Sequence, residues 1–257
     1  FPTRRSSDLK MSRLVFGKGL KATLLATAFL CASNAKADIV ISGTRIVYTQ
    51  SSKDVVVNLD NHGTKPLLVQ TWLDDGRDGV NPQELKLPFI ITPPVSRIDP
   101  KKGQSVRITY TGTPLPQDRE SLFWFNVLEI PPKSKNVDKE NLNQLQLAFR
   151  TRIKFFFRPD GLKGTPGDAA KGLTWTQKKD GNAIKLVAHN SSPYNISVST
   201  VTFKTGPKTY EVIHQAVAPF SDAVMTIKGL ASVENGSVEY DAINDYGETD
   251  HYETGLK

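Results

Sequence analysis

The stretch "LQLAFRTRIKFFFRP" runs from Leu145 to Pro159. Every second residue from Leu145 through Phe157 is apolar or Thr, whereas the residues between them are mostly polar or basic. This two-residue period predicts a β-strand with one apolar face. A strand from Leu145 to Phe157 would run about 40 Å at ~3.3 Å per residue. It would be far longer than the usual strand of about five or six residues. We therefore expect part of it to serve something other than its own sheet.

Shorter β-type runs with turn residues between them fill the rest of the chain. The runs before the long strand are "DIVISGTRIVYTQ" (38–50), "DVVVNLDN" (54–61), "KPLLVQTWLDD" (65–75), "FIITPPVSRIDP" (89–100), "QSVRITYTG" (104–112) and "SLFWFNVLEIPP" (121–132). Those after it are "GLTWTQ" (172–177), "AIKLVAHN" (183–190), "YNISVSTVTF" (194–203), "TYEVIHQ" (209–215), "DAVMTIKG" (222–229) and "GSVEYDAIND" (236–245). No window carries a helical apolar stripe, so the sequence predicts an all-β fold built from sandwiches.

The segment "RPDGLKGTPGDAAKG" (158–172) is rich in Gly and Pro and poor in large apolar residues. Such a composition indicates a domain boundary. We expect an N-terminal domain over 38–158 and a second, slightly smaller sandwich over 159–257.

The N-terminal region has the composition of an export signal. Basic residues follow Met11, then comes the apolar run "ATLLATAFLCA", and "AKA" (35–37) satisfies the small-x-small cleavage rule. We interpret residues 11–37 as a signal peptide cleaved before Asp38, and residues 1–10 as a non-native leader. The run is too short to anchor the protein in a membrane, which predicts that the mature protein is exported without an anchor.

Charge and cysteine content change when this region is removed. The whole chain has a net charge of +7, but 26 basic and 25 acidic residues remain after residues 1–37 are taken away. Nucleic-acid binding needs concentrated positive charge, so the hypothesis of a nucleic-acid partner loses its support. The single Cys, Cys31, is also removed, so we expect no disulfide and no thiol chemistry in the mature protein.

The residues do not favour an enzyme or a metal site. The four His lack metal-ligand spacing. Asp74–Gly79 resembles a calcium loop superficially, but Gly76 and Leu85 stand where an EF-hand needs oxygen ligands, so a hairpin turn is the better interpretation. Neither a phosphate-binding loop nor a nucleophile elbow is present. We expect no catalytic activity, no cofactor and no binding of ATP.

Six ordered motifs resemble the periplasmic pilus (fimbrial) chaperone family. They are "GTRIVY" (43–48), "TPPVSRIDP" (92–100), "LPQDRESLFWFNVLEIPPKSK" (115–135), "RTRIKFFFRP" (150–159), "NSSPYNISV" (190–198) and "INDYG" (243–247). The resemblance implies two immunoglobulin-like sandwiches set at an angle with a cleft between them. It also implies a function, which is to cap pilus subunits by donating a β-strand and to deliver them to an outer-membrane usher. The short segment "KSKNVDKENLNQ" (133–144) resembles the subgroup that assembles rod-like pili.

The resemblance assigns roles to individual residues. Leu145, Leu147 and Phe149 would be the donated side chains. For Ile153, Phe155 and Phe157 packing in the core of their own domain remains the alternative. Arg45 and Lys154 would bind the C-terminal carboxylate of the subunit, which sets the register of strand pairing. Glu120, Arg158 and Asp245 would form an interdomain salt bridge.

Besides the chaperone function, two other kinds of function stay open at this point. The first is that the chain is itself a pilus subunit or an adhesin, although such subunits usually carry a disulfide and an N-terminal donor extension. The second is an enzyme or a carbohydrate-binding module. An exposed apolar strand also predicts self-association of the free protein.

Overall fold

The computed structural model describes residues 38–77, 79–132 and 147–257. These residues form sixteen strands, one short α-helix and one turn of 3₁₀ helix. The first nine strands are β1 (Ile39–Ile41), β2 (Arg45–Thr49), β3 (Val55–Asn61), β4 (Leu67–Asp74), β5 (Phe89–Thr92), β6 (Val95–Ile98), β7 (Gly103–Tyr110), β8 (Ser121–Ile130) and β9 (Phe149–Arg158). The other seven are β10 (Thr174–Asp180), β11 (Ala183–Asn190), β12 (Ser197–Thr205), β13 (Lys208–Ile213), β14 (Ser221–Ile227), β15 (Ser237–Ile243) and β16 (Thr249–Gly255). The 3₁₀ turn is Pro82–Glu84, and helix α1 is Pro166–Lys171.

The first nine strands form a two-sheet sandwich. One sheet has the order β1-β3-β7-β5 and the other the order β2-β9-β8-β4-β6. Strand β2 runs parallel to β9, whereas the other pairs are antiparallel. Aromatic rings fill much of the space between the sheets: Tyr48 stacks on Phe157 with centroids 6.0 Å apart, and Phe89 meets Phe155 edge to face at 5.0 Å. Such pairs add to the area buried by the rings.

The remaining strands form the second sandwich. Their hydrogen-bonded order is β10-β11-β14-β13-β12-β15-β16, and β13 pairs with both β12 and β14. This shared strand links the layer of β10, β11 and β14 to the layer of β12, β15 and β16. The separate core contains Trp175, Phe203 and Tyr240, which are almost completely buried. The predicted all-β fold with two β-rich domains is therefore confirmed.

Strand β9 is shorter than the pattern predicts. It begins at Phe149, and Leu147 and Ala148 precede it without strand geometry. Leu145 lies outside the described residues, as does the segment on which the rod-pilus subgroup rests. Phe155 and Phe157 are fully buried in the core of their own sandwich, so the alternative of core packing is correct for these two residues.

Three other expectations differ from the structure. The apparent strands at 38–50 and 89–100 are each two strands, because Gly43 adopts a positive φ of 128° and Pro93 and Pro94 lack ladder donors. Strand β16 was not predicted, since Tyr252 is its sole large apolar side chain. Helix α1 lies inside the predicted linker. Thr165 caps its N-terminus, and the helix buries Ala169 and Ala170.

The interval between β9 and β10 contains the predicted boundary after Arg158, and that boundary stays a prediction. In the ranges the structure describes, no helix is long and apolar enough to cross a membrane. Over the same ranges, no group of three or more His, Cys, Asp or Glu side chains is placed to hold a metal ion.

Candidate functional site between the two sandwiches

Arg45 and Lys154 lie side by side where the two sandwiches meet. They are directly paired in the parallel register of β2 and β9. Arg45 Nη1 donates to the carbonyl oxygen of Ile243 at 2.6 Å, and Lys154 Nζ donates to Ser197 Oγ at 2.7 Å. Both acceptors belong to the second sandwich. The two cations predicted from the resemblance are therefore together in the structure.

The electrostatic surroundings of this pair are unfavourable for positive charge. Burial, together with the neighbouring charge of Arg45, lowers the pKa of Lys154 to about 8. Burial also lowers the pKa of Arg45, which the charge of Asp245 partly offsets. Among the described residues, Arg45 Nε is buried without a hydrogen-bond partner. A bound carboxylate would favour the charged forms of Lys154 and Arg45, because it supplies the opposite charge. It would also offer additional acceptor oxygens for hydrogen bonds.

Arg158 joins an acidic residue from each side of the cleft. Its Nε donates to Glu120 Oε1 at 2.7 Å, and its two terminal nitrogens bind the carboxylate of Asp245 at 2.7 and 3.0 Å. Burial alone would lower the pKa of Arg158, but the hydrogen bonds and charges of Asp245 and Glu120 raise it overall. Glu120 is buried, and its second oxygen accepts the backbone N–H of Asn195 at 2.8 Å. Three residues far apart in the chain thus meet at one point.

A small cavity of about 30 Å³ lies between the sandwiches. Arg45, Arg158, Ser197 and Phe156 are among the residues that line it. Phe156 is buried although it lies on the outward face of β9, because the second sandwich covers it.

The start of β9 has one edge that no described strand pairs with. Residues Phe149–Ile153 pair with β8 on one side, whereas β2 covers β9 only from Lys154 to Arg158. Within the described ranges, no strand pairs with Phe149–Ile153 on the β2 side. Leu147 and Phe149 are 54% and 47% exposed. An apolar strand edge thus ends where the basic pair begins.

Sequence reasoning missed the residues that hold this edge in place. Asp74, predicted to begin a turn, is buried at the end of β4, where it pairs with both Arg150 and Arg152 of β9. Burial would raise the pKa of Asp74, but hydrogen bonds led by that of Arg152 lower it overall.

The two arginines of this cluster also stack on aromatic rings. Arg150 lies 5.1 Å from the ring centre of Trp72, and Arg152 lies 4.4 Å from that of Trp124. The signal that could have found the cluster is the two-residue spacing of Trp72 and Asp74 on the polar side of β4.

Two β-sandwiches that share a partly buried ionic contact and border a cationic cleft, beside a strand edge that no described strand pairs with, form an arrangement typical of proteins that bind an added β-strand. The family model described as "Pili and flagellar-assembly chaperone, PapD N-terminal domain" matches residues 38–163. The model "Pili assembly chaperone PapD, C-terminal domain" matches residues 168–254. The chain therefore belongs to the pilus-assembly chaperone family.

Individual relatives agree with this assignment. The probable fimbrial chaperone YadV of Escherichia coli K12 is 47% identical over 232 residues, which cover 90% of this chain and 94% of that protein. The crystal structure of YadV matches with a TM-score of 0.74 over 86% of this chain and all of that one. The Salmonella enterica complex of the SafA pilin with the SafB chaperone matches with a TM-score of 0.71, 28% identity and coverage of 87% and 99%. These relatives confirm the predicted family and do not favour the pilus-subunit alternative.

Proposed function

We propose that this protein is a periplasmic chaperone that caps pilus subunits with the bare edge of β9 and passes them to an outer-membrane usher. The observation that carries the proposal is the position of this edge, Phe149–Ile153, directly before the basic pair Arg45 and Lys154. Unpaired N–H and C=O groups on a strand edge bind an incoming strand through ladder hydrogen bonds. The half-exposed side chains of Leu147 and Phe149 add apolar area to that contact.

The geometry also favours one direction for the incoming strand. β2 runs parallel to β9, and its first residue, Arg45, stands opposite Lys154. A subunit strand that occupies the vacant place beside Phe149–Ile153 and also runs parallel to β9 ends at these two cations. Its C-terminal carboxylate then meets the guanidinium and the ammonium. An antiparallel strand would instead bring a positively charged or neutral nitrogen to the same point.

Carboxylate binding at Arg45 and Lys154 would set the register of the complex. A shift of one residue would turn every alternate side chain of the subunit strand to the opposite face. Ser197 and the carbonyl oxygen of Ile243 hold the two cations in the free protein. The carboxylate would replace neutral acceptors with a charged one, which forms a stronger hydrogen bond.

The contact of Glu120, Arg158 and Asp245 would maintain the orientation of the two sandwiches. We assign it this role because Glu120 precedes β8 whereas Asp245 follows β15. The proposed export requires cleavage of the signal peptide before Asp38. In the proposed cycle no nucleotide is used, and the folding free energy of the captured subunit drives its later transfer.

The first test is co-purification of this protein from the periplasm with subunits encoded beside it. Wild type should retain a subunit in a one-to-one complex, and the double variant Arg45→Ala, Lys154→Ala should fold but lose it. The matched control is Arg107→Ala, Lys228→Ala, which removes the same charge from exposed ion pairs, one in each sandwich. Equal retention by all three proteins would overturn the cleft assignment, and the absence of any bound subunit would overturn the chaperone proposal.

A further inference from the structure

Glu129 is a buried carboxylate that the proposed subunit site does not use. It is the penultimate residue of β8 and is 3% exposed. Its cross-strand neighbours are the apolar residues Val69 on β4 and Phe149 on β9. A carboxylate in such surroundings lowers stability unless a cation or several donors compensate for the lost hydration.

The two oxygens of Glu129 differ in their contacts. Oε2 accepts the backbone N–H of Ile39 at 3.3 Å. Oε1 is buried and has no hydrogen-bond partner among the residues that the structure describes. Burial raises the pKa of Glu129; the backbone N–H groups of Ile39 and Asp38 partly offset this effect, and the negative charge of the Asp38 side chain adds to it. The site is therefore short of positive charge and of donors.

The backbone N–H of Asp38 acts on the Glu129 carboxylate, and the N–H of the next residue, Ile39, donates to it. The carbonyl oxygen of Asp38 accepts the N–H of His62 at 2.8 Å, and β1 begins at the following residue. The side chain of Asp38 packs closely over Gly63, where an added Cβ would lie 2.6 Å from Asp38 Cγ. These contacts fix Asp38 before any subunit is bound.

Signal-peptide cleavage would change the chemistry of that nitrogen. Hydrolysis of the peptide bond between Ala37 and Asp38 consumes one water molecule and leaves a carboxylate on Ala37 and an α-amino group on Asp38. The amide has one hydrogen to donate and no charge. The protonated amine has three hydrogens and a positive charge, which is what the unpartnered oxygen of Glu129 lacks.

We propose that Glu129 is the binding site for the α-ammonium group created at Asp38, so that maturation completes a buried ion pair between the start of β1 and the end of β8. The proposal rests on the proposed cleavage before Asp38 but not on subunit binding. The first sandwich reaches its full stability after the signal peptide has been removed. In the precursor the same nitrogen is an amide, and Glu129 stays incompletely paired.

The ion pair has a defined pH dependence. The ordinary pKa of an α-amino group is about 7.7–8.0, and pairing with Glu129 raises it in the folded protein. As long as Glu129 is ionised, the stabilisation is fully present below the unfolded value of the amine and is lost as the pH rises through its raised folded value. The other ionisable groups nearby are the Asp38 carboxylate, the exposed His62 and Lys101, which donates to the carbonyl of His62. A His62→Gln variant therefore serves as a control in this titration.

The test compares two N-termini in two backgrounds. Full-length chains are exported with the natural sequence or with one Ala inserted between Ala37 and Asp38, each with Glu129 or with Glu129→Gln. Mass spectrometry identifies the mature N-terminus, and urea unfolding gives the stability. In the Glu129 background, the insertion should shift the unfolding equilibrium constant about tenfold or more toward the unfolded state. In the Glu129→Gln background, it should change this constant little.

Equal effects of the insertion in both backgrounds would overturn the proposal, as would a mature N-terminus other than Asp38. If Glu129→Gln does not fold, ¹⁵N NMR of the natural protein tests the proposal instead, by measuring the pKa of the α-amino group. A value raised above the ordinary range supports the ion pair, and an ordinary value overturns it. None of these measurements uses a pilus subunit, so their outcome is independent of the proposed chaperone function.

Discussion

Lys154 links the strand edge of this protein to the cleft. The resemblance to pilus chaperones pointed to Lys154 and Arg45, but it gave no information about their surroundings. Ser197 and Ile243, which accept their hydrogen bonds, are 43 and 198 residues away from them in sequence. Contacts at such separations depend on how the two sandwiches meet, so the residue pattern of β2 and β9 alone could not predict them.

The lowered pKa of Lys154 predicts how subunit binding depends on pH. The group is half deprotonated at about pH 8 in the free protein, and a bound carboxylate raises its pKa because it favours the charged form. Below about pH 8 the ammonium is already present and the affinity is constant. Above this pH, binding must take up a proton, so the affinity should fall by about tenfold per pH unit until the bound-state pKa is reached.

Calorimetric titration with the C-terminal peptide of the co-purified subunit would measure this dependence. Lys154→Arg is the control, since it keeps the charge and does not titrate in this range. Its affinity should be the same at about pH 7 and about pH 9. The same decrease in both proteins would assign the titration to another group.

At the scale of the element, β9 has two halves with different surroundings. Residues Lys154–Arg158 lie between β2 and β8, whereas Phe149–Ile153 pair with β8 alone among the described strands. Asp74 holds the polar side of the bare half through Arg150 and Arg152. The alternating pattern predicted the strand and its two faces. It could not predict that β2 pairs with β9 only from Lys154 onward, because β2 lies more than a hundred residues earlier in the chain.

The exposed apolar side chains at and just before the start of β9 predict a specific effect of the double substitution Leu147→Ser, Phe149→Ser. Both side chains are about half exposed, so the thermal stability of the free protein should change little. Self-association and subunit capture should both decrease, since the substitutions remove apolar area that an incoming strand would bury. Light scattering of the free protein and co-purification of the subunit measure the two effects.

Val56→Ser, Ile90→Ser is the matched control for this experiment. These two apolar residues are 45% and 57% exposed on the opposite sheet of the same sandwich. The control should retain both self-association and capture. If it loses them to the same extent, general surface hydrophobicity rather than the β9 edge is responsible.

At the scale of the whole molecule, Arg158 connects two independent cores. It binds Glu120 of the first sandwich and Asp245 of the second, and it stacks at 5.4 Å on the ring of Tyr194. Glu120 depends on this partner, because its side chain is 2% exposed. Breaking such a contact from one side leaves a buried charge without compensation.

Arg158→Ala should therefore loosen the arrangement of the sandwiches and lower the free energy of unfolding by about 3 kcal/mol. Small-angle scattering should give a larger radius of gyration, and chemical denaturation should give the stability change. Arg107→Ala, which breaks an exposed ion pair within one sandwich, should change neither quantity measurably. An unchanged scattering profile for Arg158→Ala would contradict the proposed role in orientation.

The sequence by itself determined the β class, the two separate cores and the faces of β9, because a two-residue period depends only on local backbone geometry. Motif resemblance further identified the family and the positions of Arg45, Lys154, Glu120, Arg158 and Asp245. The tertiary structure alone decided why the outward-facing Phe156 is buried and, over the residues it describes, which strand edge stays bare and where the second oxygen of Glu129 lacks a partner. These properties arise between segments that are distant in the chain, and alternation along one strand carries no information about what packs against it.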